Sequence, residues 1–476
     1  QVMNFLLSIA GTINDYLWSY ILIGLLITLG LFFTFRSGFA QARLLGDMIG
    51  LITGRLSTLR DDEKRIAGQV TGFQAFCISV ASHVGTGNLA GIAIAISIGG
   101  PGAVFWMWLI ALLGGATSLV ENTLAQVYKV KNDDGSFRGG PSYYIEKALG
   151  MKGLSALFSV IVIVTFAVIF NTVQANTITS ALQGSFGLNL YIGGAIVTAL
   201  TAAVIFGGTE RIANVSGVIV PVMAVAYIVV AIIVLVLNIT ELPRLFMSII
   251  ENAFGIKQAV GGGLGIAILQ GVKRGLYSNE AGMGSAPNAA AISNVSHPVK
   301  QGLLQAFGVF VDTILVCSAT AFIVLLYPDY QAAYSQGFEG IQLTQMALAH
   351  SVGAWGIHFV TFCIFLFAFS SVIGNYYYGE TNLDYISKNK SSLFIFRIFV
   401  LVAVYIGSVA KLGTVWNMAD LFMGIMALIN IIVIAVLSPI AIAVIKDYMK
   451  QKKEGKNPVF KAKNIPGLKN TECWDD

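Results

Sequence analysis

Apolar runs of about twenty residues recur from one end of this chain to the other, each long enough to cross roughly 30 Å of hydrocarbon. Nothing else restricts the fold as much. In hydrocarbon the backbone must satisfy its own polar groups, and runs of this length do so as helices. Only 11% of the 476 residues are charged and 56% are hydrophobic, whereas soluble domains carry about 25% charge. The expectation is an all-α polytopic membrane protein of about eleven spans. They lie near 16–35, 68–98, 102–128, 154–183, 189–207, 211–237, 259–291, 300–327, 345–384, 392–410 and 413–445. The stretches 259–291 and 345–384 are too long and too polar for single straight helices.

Several function classes fall away. The net charge of +5 is spread over loops and tail, which fits a topology bias and not nucleic-acid binding. Cys77, Cys317 and Cys363 are isolated in apolar runs and Cys473 is in the polar tail. No CxxC or His/Cys metal spacing supports a disulfide, haem or zinc. An intramembrane enzyme would need a nucleophile or a metal set, yet His83, His297, His350 and His358 are scattered and no HExxH occurs. The first run, Tyr16 to Phe35, lacks a basic n-region and a small-residue cleavage site, so it reads as a retained helix.

The loop after it carries Arg36, Arg43, Arg55, Arg60, Lys64 and Arg65, and the connection from Lys129 to Lys152 adds Lys131, Arg138 and Lys147. If the spans alternate, Lys388, Lys390 and the tail from Lys446 to Lys463 share that side. The opposite loop holding Asp329 and Glu339 has no Lys or Arg. The positive-inside rule then places the N-terminus outside and the tail in the cytoplasm, the tail reading as a short extension with no motif of its own.

Two runs are interrupted. In the first, Gly85 and Gly87 flank Thr86 at mid-membrane, with Ser79, Ser82, His83 and Asn88 at the same depth. The second holds Gly275, Gly282, Gly284 and Pro287. Backbone that leaves a helix in hydrocarbon is tolerated only against protein or a water-filled cavity. With the first span set aside, these are the first and sixth of ten, so they run in opposite directions. Paired broken helices in two inverted halves point to a transporter site at the bilayer midplane. A channel would call for symmetric filter sequences instead.

Three motifs now carry a resemblance: Val84-Gly-Thr-Gly-Asn-Leu-Ala-Gly91, Gly99-Gly-Pro-Gly-Ala-Val-Phe-Trp-Met-Trp108 and Gly275-Leu-Tyr-Ser-Asn-Glu-Ala-Gly-Met-Gly-Ser-Ala-Pro287. They resemble the alanine/glycine:cation symporters of the amino acid–polyamine–cation superfamily, from the first span to about Lys446. The resemblance implies a LeuT-type 5+5 inverted repeat with one extra N-terminal helix. Residues 1–66 would be that helix and a loop, 67–238 and 239–446 the two repeats, and 447–476 the tail. It implies sodium as coupling ion, an amino acid as substrate and a bacterial or archaeal cell membrane as location.

By that resemblance the N–H groups of Thr86 and Gly87, with Gly85 beside them, would hold the substrate carboxylate at a half-helix N-terminus. Sodium would take the carbonyls of His83, Val84 and Phe367 and the hydroxyls of Ser370 and Ser371. Asn171 and Gln174, at i and i+3, can face one cavity. Tyr277 would wall off the pocket, with Gly275 and Gly282 giving it room to swing. Asn375 departs from the aromatic residue expected in members selective for the smallest amino acids. A buried amide there favours glutamine over alanine or glycine. His83 titrates near physiological pH when unperturbed, which leaves a proton-coupled carrier as the alternative. Glu121, Lys273, Arg274, Glu280 and Asp312 also lie at membrane depth. Of these, Lys273 and Arg274 with Glu280 suggest an ion-paired gate.

Overall fold

The computed structural model describes residues 2–61, 69–255 and 263–474. Lys64 and Arg65 of the first basic loop, and the start of the 259–291 stretch, lie outside the described residues. Eight described helices are long and apolar enough to cross a membrane, and one bent pair makes a ninth candidate.

The first helix, α1 (Asn4–Arg36), contains a π-turn at Leu17–Leu22. It packs on the last membrane helix because Gly424 there has no side chain. A Cβ at Gly424 would stand 2.7 Å from Leu17. The buried Trp18 then donates its indole N–H to the Asp420 carbonyl at 3.0 Å.

The first interrupted helix starts with a capping box: Thr71 and Gln74 each accept the other's backbone N–H. Its first half, α2 (Gly72–His83), ends where Val84 turns extended. The second half, α3 (Gly87–Gly99), leaves at a 48° bend. Next come α4 (Gly102–Val127), α5 (Lys152–Phe186), α6 (Leu190–Ile205) and α7 (Gly208–Leu237).

The second interrupted helix begins with α8 (Gly263–Asn279), and only a short helical turn, Ala286–Ala290, follows the gap. Gly275 lies inside α8, contrary to the expectation that it breaks the helix. A Cβ there would meet Ile110 at 2.6 Å, so this glycine lets α8 press against α4. The break itself is at 280–285, where Glu280, Gly282 and Gly284 have positive φ.

Helices α9 (Pro298–Leu325), α10 (Trp355–Ile386), α11 (Lys390–Val409) and α12 (Leu412–Lys453) complete the set. The 345–384 stretch is interrupted at Gly353 (φ 96°), where the helix Ile341–Val352 ends, and α10 itself is continuous.

Two short ladders lie outside the bundle. Strands β1 (Val70–Thr71) and β4 (Ser293–Asn294) pair in parallel, Val70 opposite Ser293. Strands β2 (Val130–Lys131) and β3 (Phe137–Arg138) form a hairpin. The β1–β4 ladder joins the foot of α2 to the chain leaving the second break, so both interrupted helices are tied at one end of the bundle. The tail is not a free extension. Trp474 is buried and donates to the Gln126 carbonyl at 2.8 Å, Phe460 N–H donates to the Ser296 carbonyl, and Glu472 pairs with Lys147 at 3.2 Å.

Candidate functional site

The first break is held open by neutral groups. The N–H of Gly85 donates to the Asn88 side-chain oxygen at 2.8 Å, and Asn88 N–H donates back to the Gly85 carbonyl at 3.3 Å. Thr86 N–H donates to the side-chain oxygen of Gln174, on α5, at 3.0 Å. Both glycines are needed for this closeness. A Cβ at Gly85 would sit 2.2 Å from the Ser371 hydroxyl, and one at Gly87 would sit 2.8 Å from the Tyr277 ring.

Beside this break α10 contributes two serines. The Ser371 hydroxyl is 2.9 Å from the Ala81 carbonyl, 3.1 Å from that of Ser82, 3.3 Å from that of Val84 and 3.1 Å from that of Phe367. Ser370 reaches Phe367 at 2.8 Å and Ala81 at 3.4 Å. The carbonyls gathered here are therefore those of Ala81, Ser82, Val84 and Phe367. The His83 carbonyl, expected here, is not among the partners of the two hydroxyls, whereas that of Ala81 is. One hydroxyl proton cannot serve four carbonyls at once. Such a surplus of neutral oxygen suits a hard monovalent cation, which takes oxygen ligands.

Asn171 and Asn375 meet, while Gln174 turns to the first break and Tyr277. Asn375 donates to the Asn171 oxygen at 3.1 Å and accepts from Ser82 at 2.7 Å, so both ends of its amide are engaged within the protein. The Gln174 amide nitrogen lies 3.5 Å from the Tyr277 hydroxyl. Tyr277 stands between Phe170 and Trp416, ring centroids 4.8 and 4.7 Å away, and closes one side of the break.

The expected ion-paired gate is corrected in its acid. Arg274 is hydrogen-bonded to Asp420 on α12 and lies over the Trp416 ring, and Lys273 is 3.6 Å from Asp420. Glu280 is one turn beyond, past the end of α8, and engages a different set. It accepts from Ser285 at 2.6 Å and Ser82 at 3.2 Å, and stands 3.6 Å from the His83 ring, too far for a hydrogen bond. Asp312 accepts from Asn88 at 2.6 Å and Ser278 at 2.7 Å, which fastens the first break to α8 and α9.

The second break is held by Glu121. Its two carboxylate oxygens accept the N–H groups of Gly282 at 2.9 Å and Gly284 at 3.1 Å. Asn430 donates to the same carboxylate at 3.0 Å and to the Gly282 carbonyl at 2.8 Å, and Tyr144 donates to the Asn430 oxygen.

Sequence reasoning passed over Ala81, Asp420, Trp416, Phe170 and Asn430. Asp420 had a usable signal, a lone acid within an apolar span. Aromatics and a carbonyl on an apolar helix have none.

The sequence model described as the sodium:alanine symporter family matches residues 3–462. The amino-acid carrier protein AlsT of Bacillus subtilis is 52% identical over 474 residues, covering 99% of this chain and 98% of that one. The "Probable sodium/glutamine symporter GlnT" of the same organism is 50% identical, covering 98% and 95%. Among solved structures, a Na+-coupled sialic acid symporter in its outward-open state aligns with a TM-score of 0.52 at 14% identity. It covers 89% of this chain and 93% of that one, a likeness of fold.

Proposed function

The chain belongs to the sodium:alanine symporter family, and on that premise we propose that it carries a neutral amino acid across the membrane together with sodium. The fold is LeuT-type, and the protein is a transporter, not an enzyme. The observation that carries the reading is the meeting, at the first break, of a neutral oxygen cluster with backbone N–H groups held only by side-chain amides.

Sodium binds among the carbonyls of Ala81, Val84 and Phe367 and the hydroxyls of Ser370 and Ser371. The substrate carboxylate takes the Thr86 and Gly87 N–H groups at the start of α3, displacing the Gln174 oxygen from Thr86. A charged acceptor at a helix N-terminus outcompetes a neutral one, so this exchange is favourable. Sodium fixes the unwound backbone in the shape the carboxylate needs, and each ligand lowers the ordering cost of the other.

The substrate is alanine or glutamine in this reading, in line with the family's description and with GlnT. The Asn375 amide already engages Asn171 and Ser82, which leaves one N–H and one oxygen lone pair to meet a glutamine side chain. Basic residues at one end of the bundle support a cytoplasmic tail and an external N-terminus.

Uptake by proteoliposomes with an imposed sodium gradient, competed by a panel of amino acids, tests the proposal. Alanine or glutamine should accumulate, and choline in place of sodium at fixed pH should abolish accumulation. Uptake indifferent to that replacement, but driven by a pH gradient, would establish the proton-coupled carrier instead.

A further inference from the structure

Both interrupted helices leave backbone N–H groups without helical partners, yet the two gaps satisfy them with groups of different charge. At the first, the acceptors are the amide oxygens of Asn88 and Gln174. At the second, the acceptor is the carboxylate of Glu121, which is fully buried on α4. Each of its oxygens takes one glycine N–H, in the two-pronged manner of a carboxylate at a helix N-terminus. Gly282 and Gly284 both have positive φ, which turns these two N–H groups toward the same acid. Asn430 adds a third donor, and its orientation is fixed by the Gly282 carbonyl and the Tyr144 hydroxyl. Every contact made by the acid is thus with a donor.

We propose that Glu121 is a resident carboxylate which fills, in the second break, the anion place that the first break keeps for substrate. It is a positioning residue. By fixing Gly282 and Gly284 it sets where the chain leaves α8, whose last turn carries Tyr277 and Ser278, which contact the first break. The Glu121 side chain, already in place, also denies this second set of N–H groups to the substrate, so that one carboxylate per cycle is taken, at the first break.

The inference rests on the transport reading above. Its test separates charge from volume. Glu121→Gln keeps the volume but turns an amide donor toward an N–H donor. Glu121→Asp shortens the side chain but keeps the charge. The expected order of sodium-driven uptake is wild type, then Glu121→Asp within about tenfold, then Glu121→Gln lower by about a hundredfold, because charge-assisted bonds at a buried site are lost. Glu121→Ala should be inactive and regain uptake when formate is supplied, since formate can occupy the vacated place. Thermal unfolding of each purified variant shows that the fold persists.

Glu121→Gln matching or exceeding Glu121→Asp would overturn the proposal, as a purely packing role follows volume. So would a folded Glu121→Ala that formate leaves inactive. If the wild type itself shows no sodium-driven uptake, the transport reading has failed instead, and the two failures are told apart.

Discussion

The two broken helices solve one problem in opposite ways. Each exposes peptide groups in the middle of the membrane, where an unsatisfied N–H is costly. At 280–285 the protein answers with a carboxylate of its own, anchored by Asn430 and Tyr144 from two further helices. At 84–88 it answers with neutral amide oxygens, one of them on the separate helix α5. A gap closed by a buried acid is finished. A gap closed by a neutral oxygen is exchangeable, because a carboxylate arriving from outside makes the stronger bond. On the proposed reading, this asymmetry is what suits the first break to substrate binding and the second to mechanical support.

The most damaging way to strike at this comparison is Thr86→Pro. The substitution deletes the N–H that Gln174 now holds and adds a ring to a helix start packed on all sides. Substrate binding should fall beyond measurement, at least about a hundredfold, while the folded protein still purifies. Near-normal uptake by a folded variant would remove the carboxylate site from the first break.

Gln174→Glu sharpens the comparison by making the first break resemble the second. A glutamate at this place would offer Thr86 N–H a carboxylate oxygen where the amide oxygen now stands, 3.0 Å from the Thr86 nitrogen. Substrate should then have to displace a charge of its own kind. Its half-saturating concentration should rise by about thirtyfold, equivalent to about 2 kcal/mol. The same measurement with Gln174→Ala should show a smaller rise, since no competitor is introduced. Equal effects from the two variants would mean that Gln174 acts by contact with substrate and not by exchange.

Much of this was open to inspection in the amino-acid order. Glycine pairs inside twenty-residue apolar runs marked both breaks, because glycine is a poor helix residue, although it also stands in such runs for close packing, as Gly424 does. Spacing placed Asn171 and Gln174 on one face; Asn171 bonds to Asn375 and Gln174 to the Thr86 N–H. What failed were several readings that depended on which residue a neighbouring helix supplies. Gly275 looked like a hinge and is a packing contact with α4, a distinction that depends on Ile110. Glu280 looked like the partner of Arg274, but Asp420 occupies that position from α12. Backbone carbonyls are invisible to any reading of residue types, so Ala81 could not be told from His83. The tail, polar and without repeats, gave no sign that Trp474 would be buried against Gln126.

The smallest expected effect concerns the cation, where the first break again differs from the second in offering neutral oxygen rather than charge. Ser371 lies within 3.3 Å of four carbonyls, from both α10 and the end of α2. Ser370 has one close partner, Phe367 on its own helix, and reaches Ala81 only at 3.4 Å. Removing the Ser371 hydroxyl takes away an oxygen at the centre of the cluster and leaves carbonyls facing each other. Removing that of Ser370 takes one from its edge. Sodium activation of uptake should shift about tenfold for Ser371→Ala, equivalent to about 1.4 kcal/mol. For Ser370→Ala the shift should be about threefold, with substrate affinity at saturating sodium little changed in both. The ordering matters more than the size. A larger shift for Ser370→Ala would move the ion toward the edge of the cluster. Unchanged activation in both would place it elsewhere, and Asp312, bound to Asn88, is a buried acid beside the first break that could take it. In that event Asp312, which already braces the first break through Asn88, would hold the ion as well, and the contrast with the second break would narrow to the carboxylate site alone.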